Sequence, residues 1–143
     1  MPYAYADDIA IADLAFRAWG QTVEATFIAA AEATVHAMVE DLATIAPREQ
    51  RTFELHEAQL DLLLLQFLQE LLFYKDAQRL MLRVHAVQIT ALDQGFTLQA
   101  RAAGEPLDAA KHALGADVKG VTLHRLQVVQ TPKGWEATVV LDV

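Results

Sequence analysis

Two aspartates stand where the chain reads as β-strand. Asp is depleted inside strands because its side chain competes with the backbone and resists burial. Asp13 falls in the middle of an uneven apolar alternation over residues 9–19, and Asp142 lies one residue from the end of the last strand-like run. If those strands approach each other, Asp13, Asp142 and the α-carboxylate of Val143 converge. Three carboxylates at close range repel, and one is pushed toward protonation unless a cation intervenes. An all-oxygen set suits Mg²⁺ or Ca²⁺ rather than a softer metal. The plain alternative is two exposed strand-edge aspartates that bind nothing.

The five histidines, His36, His56, His85, His112 and His124, show no HExxH or paired helical spacing. Between the last two runs Asp117-Val118-Lys119-Gly120-Val121-Thr122-Leu123-His124. Strand alternation puts Val118, Gly120, Thr122 and His124 on one face and Lys119, Val121 and Leu123 on the other. Gly120 suggests a bulge or a close backbone approach. The alternative is an ordinary polar face with a hydrogen-bonded histidine. Glu70 has mostly apolar helical neighbours, so it is either a semi-buried acid with a basic partner or a solvated residue at the helix edge. Other chemistries are closed. The chain has no Cys, Ser or Asn, which excludes thiolate metal sites, disulfides, and Ser or Cys nucleophiles. Neither GxGxxG nor GxxxxGK[ST] occurs. With 11 basic and 19 acidic residues, a net charge of −8, the chain is not built to hold a phosphate backbone by itself. An acid–base enzyme using Asp13, Asp142 and His124 stays open.

The elements that must position these residues fit one domain of 143 residues, and 54% hydrophobic content is enough for a core without cross-links. After the first strand, Thr22 is an N-cap, and Val23, Phe27, Ala31, Val35, Met38 and Leu42 follow helical spacing up to Pro47. Residues 52–56 read as a short strand with Phe53 and Leu55 inward. A second helix carries Leu60, Leu63, Leu64, Phe67, Leu68, Leu71 and Leu72 in a stripe broad enough to be central. Strands are expected at 80–89, 96–101, 118–130 and 135–143, with turns at Asp93-Gln94-Gly95 and Thr131-Pro132-Lys133-Gly134. Residues 108–114 form at most a short helical segment, stopped by Gly115. The expected fold is α+β, a single domain with a mostly antiparallel sheet packed against two long helices. The N-terminus lacks the pattern of a signal peptide and the apolar runs are too short to span a membrane, so a soluble, cytoplasmic protein is expected.

Five stretches, in order and nearly end to end, resemble the archease family. Ala12-Asp13 followed by Ala18-Trp19-Gly20 is similar to its first strand, His-Thr-Ala-Asp with an Ala-aromatic-Gly ending. Leu68-Gln69-Glu70-Leu71-Leu72-Phe73-Tyr74 resembles its second helix. Gly104-Glu105-Pro106-Leu107-Asp108-Ala109-Ala110-Lys111-His112 resembles its loop before the long strand. Val118-Lys119-Gly120-Val121-Thr122-Leu123-His124 resembles its Val-Lys-Ala-x-Thr-x-His, and Val139-Val140-Leu141-Asp142-Val143 its apolar-Asp-apolar ending. The resemblance implies a protein cofactor rather than an enzyme. Archeases act on the GTP-dependent RNA ligase that joins 3′-phosphate and 5′-hydroxyl ends in tRNA splicing and RNA repair, promoting guanylylation of the ligase and multiple turnover. It implies a divalent cation, Ca²⁺ or Mg²⁺, at Asp13 and Asp142 with Val143 adjacent. The matched stretches supply Lys111, His112, Lys119, Thr122, His124 and Glu70 as candidates for activating the partner. In one departure, Ala10-Ile11 stand where the family has His-Thr, which removes an imidazole and a hydroxyl beside the cation. The alternatives are a chaperone or modulator of RNA-processing enzymes, a role also ascribed to the family, and a divergent paralogue without the metal.

Overall fold

The structure, a computed structural model, describes residues 2–7 and 13–143. Its elements follow as β1 (Tyr3–Tyr5), β2 (Leu14–Gly20), α1 (Val23–Met38), β3 (Glu49–Glu57), α2 (Leu60–Gln78), β4 (Leu80–Leu92), β5 (Gly95–Pro106), β6 (Gly120–Val121), β7 (Gln127–Thr131) and β8 (Gly134–Asp142). A 3-10 turn, Leu42–Thr44, follows α1. The α+β expectation holds, with the strands divided between two antiparallel sheets. One runs β1-β2-β8, with β6 and β7 both pairing with β8; the other runs β3-β5-β4.

Local chemistry sets most boundaries. The Thr22 side chain accepts from Ala25 N at 3.1 Å and starts α1, as its type predicts. Leu42 belongs to the 3-10 turn and not to the helix, because the chain turns extended at Val39. Ala29, Ala30, Ala31 and Ala33 are buried, so small side chains let α1 lie close against its neighbours. On α2, Leu63, Leu64, Phe67, Leu68, Leu71 and Leu72 are all buried. Phe67 lies 5.7 Å from Phe27 and 6.0 Å from Phe53 between ring centroids, tying both helices to the smaller sheet. Full burial of each such side chain is worth about 1.5–3 kcal/mol. Among the described residues no helix is long and apolar enough to cross a membrane.

Several expectations are corrected. The first described strand of the 9–19 run begins at Leu14, so Asp13 is an exposed residue just before β2 and not inside it; residues 9–12 of that run lie outside the described residues. Strand β1, only three residues long, is held to α1 by Tyr5, whose hydroxyl donates to Ala33 O at 2.8 Å, and by a 2.9 Å bond between the Tyr3 hydroxyl and His36 Nδ1. Strand β3 is longer than 52–56. Residues 108–114 contain turns but no helix. The run 118–130 is two strands, not one. Leu126 N donates to Leu123 O at 3.3 Å, and Arg125 takes a left-handed backbone at φ 55°, which breaks the alternation. Val118 and Val121 are both buried, and His124 is exposed.

The close backbone approach expected at Gly120 occurs at Gly104 instead. A Cβ on Gly120 meets only Gln69 Nε2, at 3.9 Å, whereas a Cβ on Gly104 falls 1.7 Å from Met81 O in the neighbouring strand. The backbone there has no room to retreat, because β5 is paired on both sides. Gly104→Ala is expected to lower unfolding free energy by about 2 kcal/mol or more, read from a lower urea midpoint with an unchanged slope.

Candidate functional site

The first strand of the larger sheet finds its partner in the last. Leu14 pairs with Leu141, Phe16 with Val139 and Ala18 with Ala137 in an antiparallel register. Phe16, Ala18, Ala137, Val139 and Leu141 are buried, and a one-residue slip of β2 against β8 would turn Phe16 and Ala18 to the opposite face. The same register leaves Asp13, just before Leu14, and Asp142, just after Leu141, at one end of two adjacent strands. Both residues are exposed, and Val143 follows. Among the described residues, no group of three or more His, Cys, Asp or Glu lies close enough to hold a metal. Two carboxylates are nonetheless a donor set that suits Mg²⁺, which commonly takes one or two of them and fills its remaining positions with water and substrate phosphates. Ala10 and Ile11, the departure from the His-Thr pattern, lie outside the described residues.

The segment that runs beside this strand end is laced to it through the backbone. Lys119 N donates to Asp142 O at 2.7 Å, and Gly120 and Val121 pair with Asp142 and Leu141. Thr122 donates twice to Val140 O, through its N–H and its hydroxyl, each at 3.0 Å. His124 N then donates to Thr122 Oγ1 at 3.2 Å. Lys119 and His124 are exposed and Thr122 is half-buried. Helix α2 borders the segment at Gln69. Glu70, the next residue, is half-buried.

Lys111 and His112 gather elsewhere, around the buried carboxylate of Glu105, which nothing in its residue type or spacing marks as a centre. Glu105 is 2% exposed. Its Oε2 accepts from Ala46 N at 2.8 Å, Lys111 Nζ at 2.6 Å and His112 Nε2 at 3.0 Å. Arg48 adds charge 3.7 Å from Oε1. The backbone N–H of Ala46, with Lys111 and His112, pulls the Glu105 carboxyl down to about 2 against the opposing effect of burial. His112 is enclosed as well, and its tautomer follows from its neighbours. Nδ1 accepts from Asp108 N at 3.0 Å, so the proton sits on Nε2 and points at Glu105. With both ring nitrogens engaged, His112 keeps no atom for direct contact with a partner.

These bonds fix the loop after β5, and the loop fixes β6. Leu107 N donates to Arg79 O, and Gly115 N and Ala116 N donate to Met38 O and Ala37 O. Lys75 then holds the exit. It is a buried lysine on α2 that donates to Val118 O at 2.7 Å and pairs with Asp76 at 2.8 Å and Asp117 at 3.4 Å. Its signal in the sequence was positional. Lys75 falls four residues after Leu71 and three after Leu72, on the helix stripe that goes inward.

Comparison with known proteins gives the family and the fold. The model of the Archease protein family matches residues 3–143. The chain belongs to the archease family. It is 38% identical over 133 residues to a protein archease of Thermococcus gammatolerans, covering 92% of this chain and 93% of that one. A protein archease of Thermococcus kodakarensis is 35% identical over the same shares. The solution structure of protein 1598 of Methanobacterium thermoautotrophicum superposes with a TM-score of 0.85 at 29% identity, covering 99% of each chain. The archease fold expected from the five stretches, two helices against antiparallel sheets, is thus the fold of this chain.

The Glu105 cluster makes an acid-linked prediction. The folded value lies below the ordinary carboxylate value of 4.5, so the stability this group contributes is full above that value and is lost as pH falls toward about 2. Glu105→Gln is expected to melt several degrees below wild type at neutral pH. The gap should hold down to about pH 5 and shrink at lower pH, as thermal scans across a pH series will read.

Proposed function

We propose that this archease is a protein cofactor of a GTP-dependent RNA ligase that joins 3′-phosphate and 5′-hydroxyl ends, in tRNA splicing or RNA repair. It acts by promoting guanylylation of the ligase, which allows multiple turnover, and it carries out no ligation itself. The observation that supports this most directly is the β2–β8 register, which leaves Asp13 and Asp142 side by side at one exposed strand end in a chain of this family. On this reading the strand end, with Val143 beside it, is an acidic tip that enters the ligase's nucleotide pocket. Asp13 and Asp142 would hold a Ca²⁺ or Mg²⁺ ion, and such a cation neutralises phosphate charge when bound. Lys119, Thr122 and His124, on the segment beside the tip, and Glu70, on the helix that borders it, are the contact candidates, while Lys111 and His112 act by holding the loop. The net charge of −8 suits a basic, RNA-handling partner.

The alternative of a general chaperone working through the leucines of α2 loses its surface, because that stripe is the core. Phe73 is the large apolar residue that α2 leaves exposed.

Labelled GTP transferred to purified ligase measures the function directly. Substoichiometric archease is expected to accelerate label incorporation, and Asp13→Ala and Asp142→Ala are each expected to reduce that acceleration about tenfold or more. Unchanged acceleration by both variants would remove the tip from the reading. No acceleration by wild type on a competent ligase would favour a divergent paralogue.

A further inference from the structure

A groove runs along the flank of α1, away from the acidic tip residues. It encloses about 510 Å³ between that helix, the N-terminal strand, Arg83 of β4 and the chain that leaves α1. Its floor is Ala25, Ile28 and Ala29, which share a helix face with Glu32 and His36 by their spacing. From Ala25 to His36 this face extends about 16 Å at 1.5 Å per residue. The floor is apolar at the start of the helix, and the far end is acidic.

Glu32 is already matched by Arg83, whose Nη2 donates to Oε1 at 2.6 Å and whose Nε donates to Oε2 at 3.4 Å. Glu40 and Asp41 remain on the rim, both exposed, and no cation among the described residues pairs with either. The Asp41 carboxylate also accepts from Ala43 N at 3.0 Å and keeps its full negative charge. An apolar trough that ends in uncompensated negative charge is complementary to an aliphatic side chain followed by a cation.

We propose that this groove is the docking surface for a short basic segment of the ligase, in which an aliphatic side chain lies on Ile28 and a Lys or Arg reaches Glu40 and Asp41. The inference rests on the reading of this protein as a ligase cofactor and adds the surface by which it is held. Charge complementarity selects the occupant, because an enzyme that holds RNA must present Lys and Arg. Affinity then resides in the groove and activation in the tip.

The test uses the intact protein and purified ligase, with affinity read by titration calorimetry and folding checked by melting. Glu40→Lys and Ile28→Glu are each expected to weaken ligase binding about tenfold and to raise by a similar factor the concentration that half-saturates guanylylation. Glu54→Lys makes the same charge change on the exposed face of the other sheet and should bind within about twofold of wild type. If Ile28→Glu does not fold, the exposed Glu40→Lys variant decides alone. Glu40→Lys binding as tightly as wild type, while wild type still stimulates the ligase, overturns the groove and leaves the cofactor reading intact. A wild-type protein that neither binds nor stimulates a competent ligase overturns both.

Discussion

The pairing of the first long strand with the last is the constraint on which the rest of this molecule depends. Strand β8 is the common neighbour of β2, β6 and β7, so its register is imposed on every strand of the larger sheet except β1. That register is fixed by what it buries. Phe16, Ala18, Ala137, Val139 and Leu141 all face the core, and a slip of either strand would take its own inward residues out of it. The exposed end of the sheet inherits that precision. Two aspartates that contribute nothing to the core are held side by side because their neighbours do.

A second constraint lies inside. A carboxylate as buried as Glu105 is tolerated because three donors converge on one of its oxygens and a guanidinium stands near the other. Breaking one partnership in such a cluster costs more than its formation gains, because the remaining groups stay buried. The loop between β5 and β6 lacks helix and has little strand, and it gets its definition from this cluster, from backbone bonds to α1 and from Lys75. Polar burial here substitutes for regular secondary structure. It delivers Lys119 and Gly120 to the edge of β8.

What was legible in the sequence was what depended on short range. Thr22 as a cap, the turn at Asp93-Gln94-Gly95 and the alternation over Phe96, Leu98 and Ala100 each depend on a few consecutive residues, and each is found. The leucine stripe of α2 was legible because its period repeats over several turns. The α+β class followed from these elements together. Strand β1 was missed because three residues carry no period. The break at Arg125 was missed because a left-handed arginine has no compositional signal. Glu105 was missed as a hub because one of its donors, Ala46 N, comes from far along the chain. Asp13 and Asp142 stood out as misplaced acids, but only the register set them at the same end of the sheet.

That register also bears on how the molecule comes into being. Leu14 meets Leu141 across almost the whole chain, so this pairing carries nearly the largest loop-closure entropy available to the sequence. Contacts of such separation slow folding. The smaller sheet and α2 are assembled from neighbours in sequence and are able to form while β8 is still being synthesised. The strand end that brings Asp13 beside Asp142 is therefore absent from every nascent intermediate and comes into existence only when β8 docks.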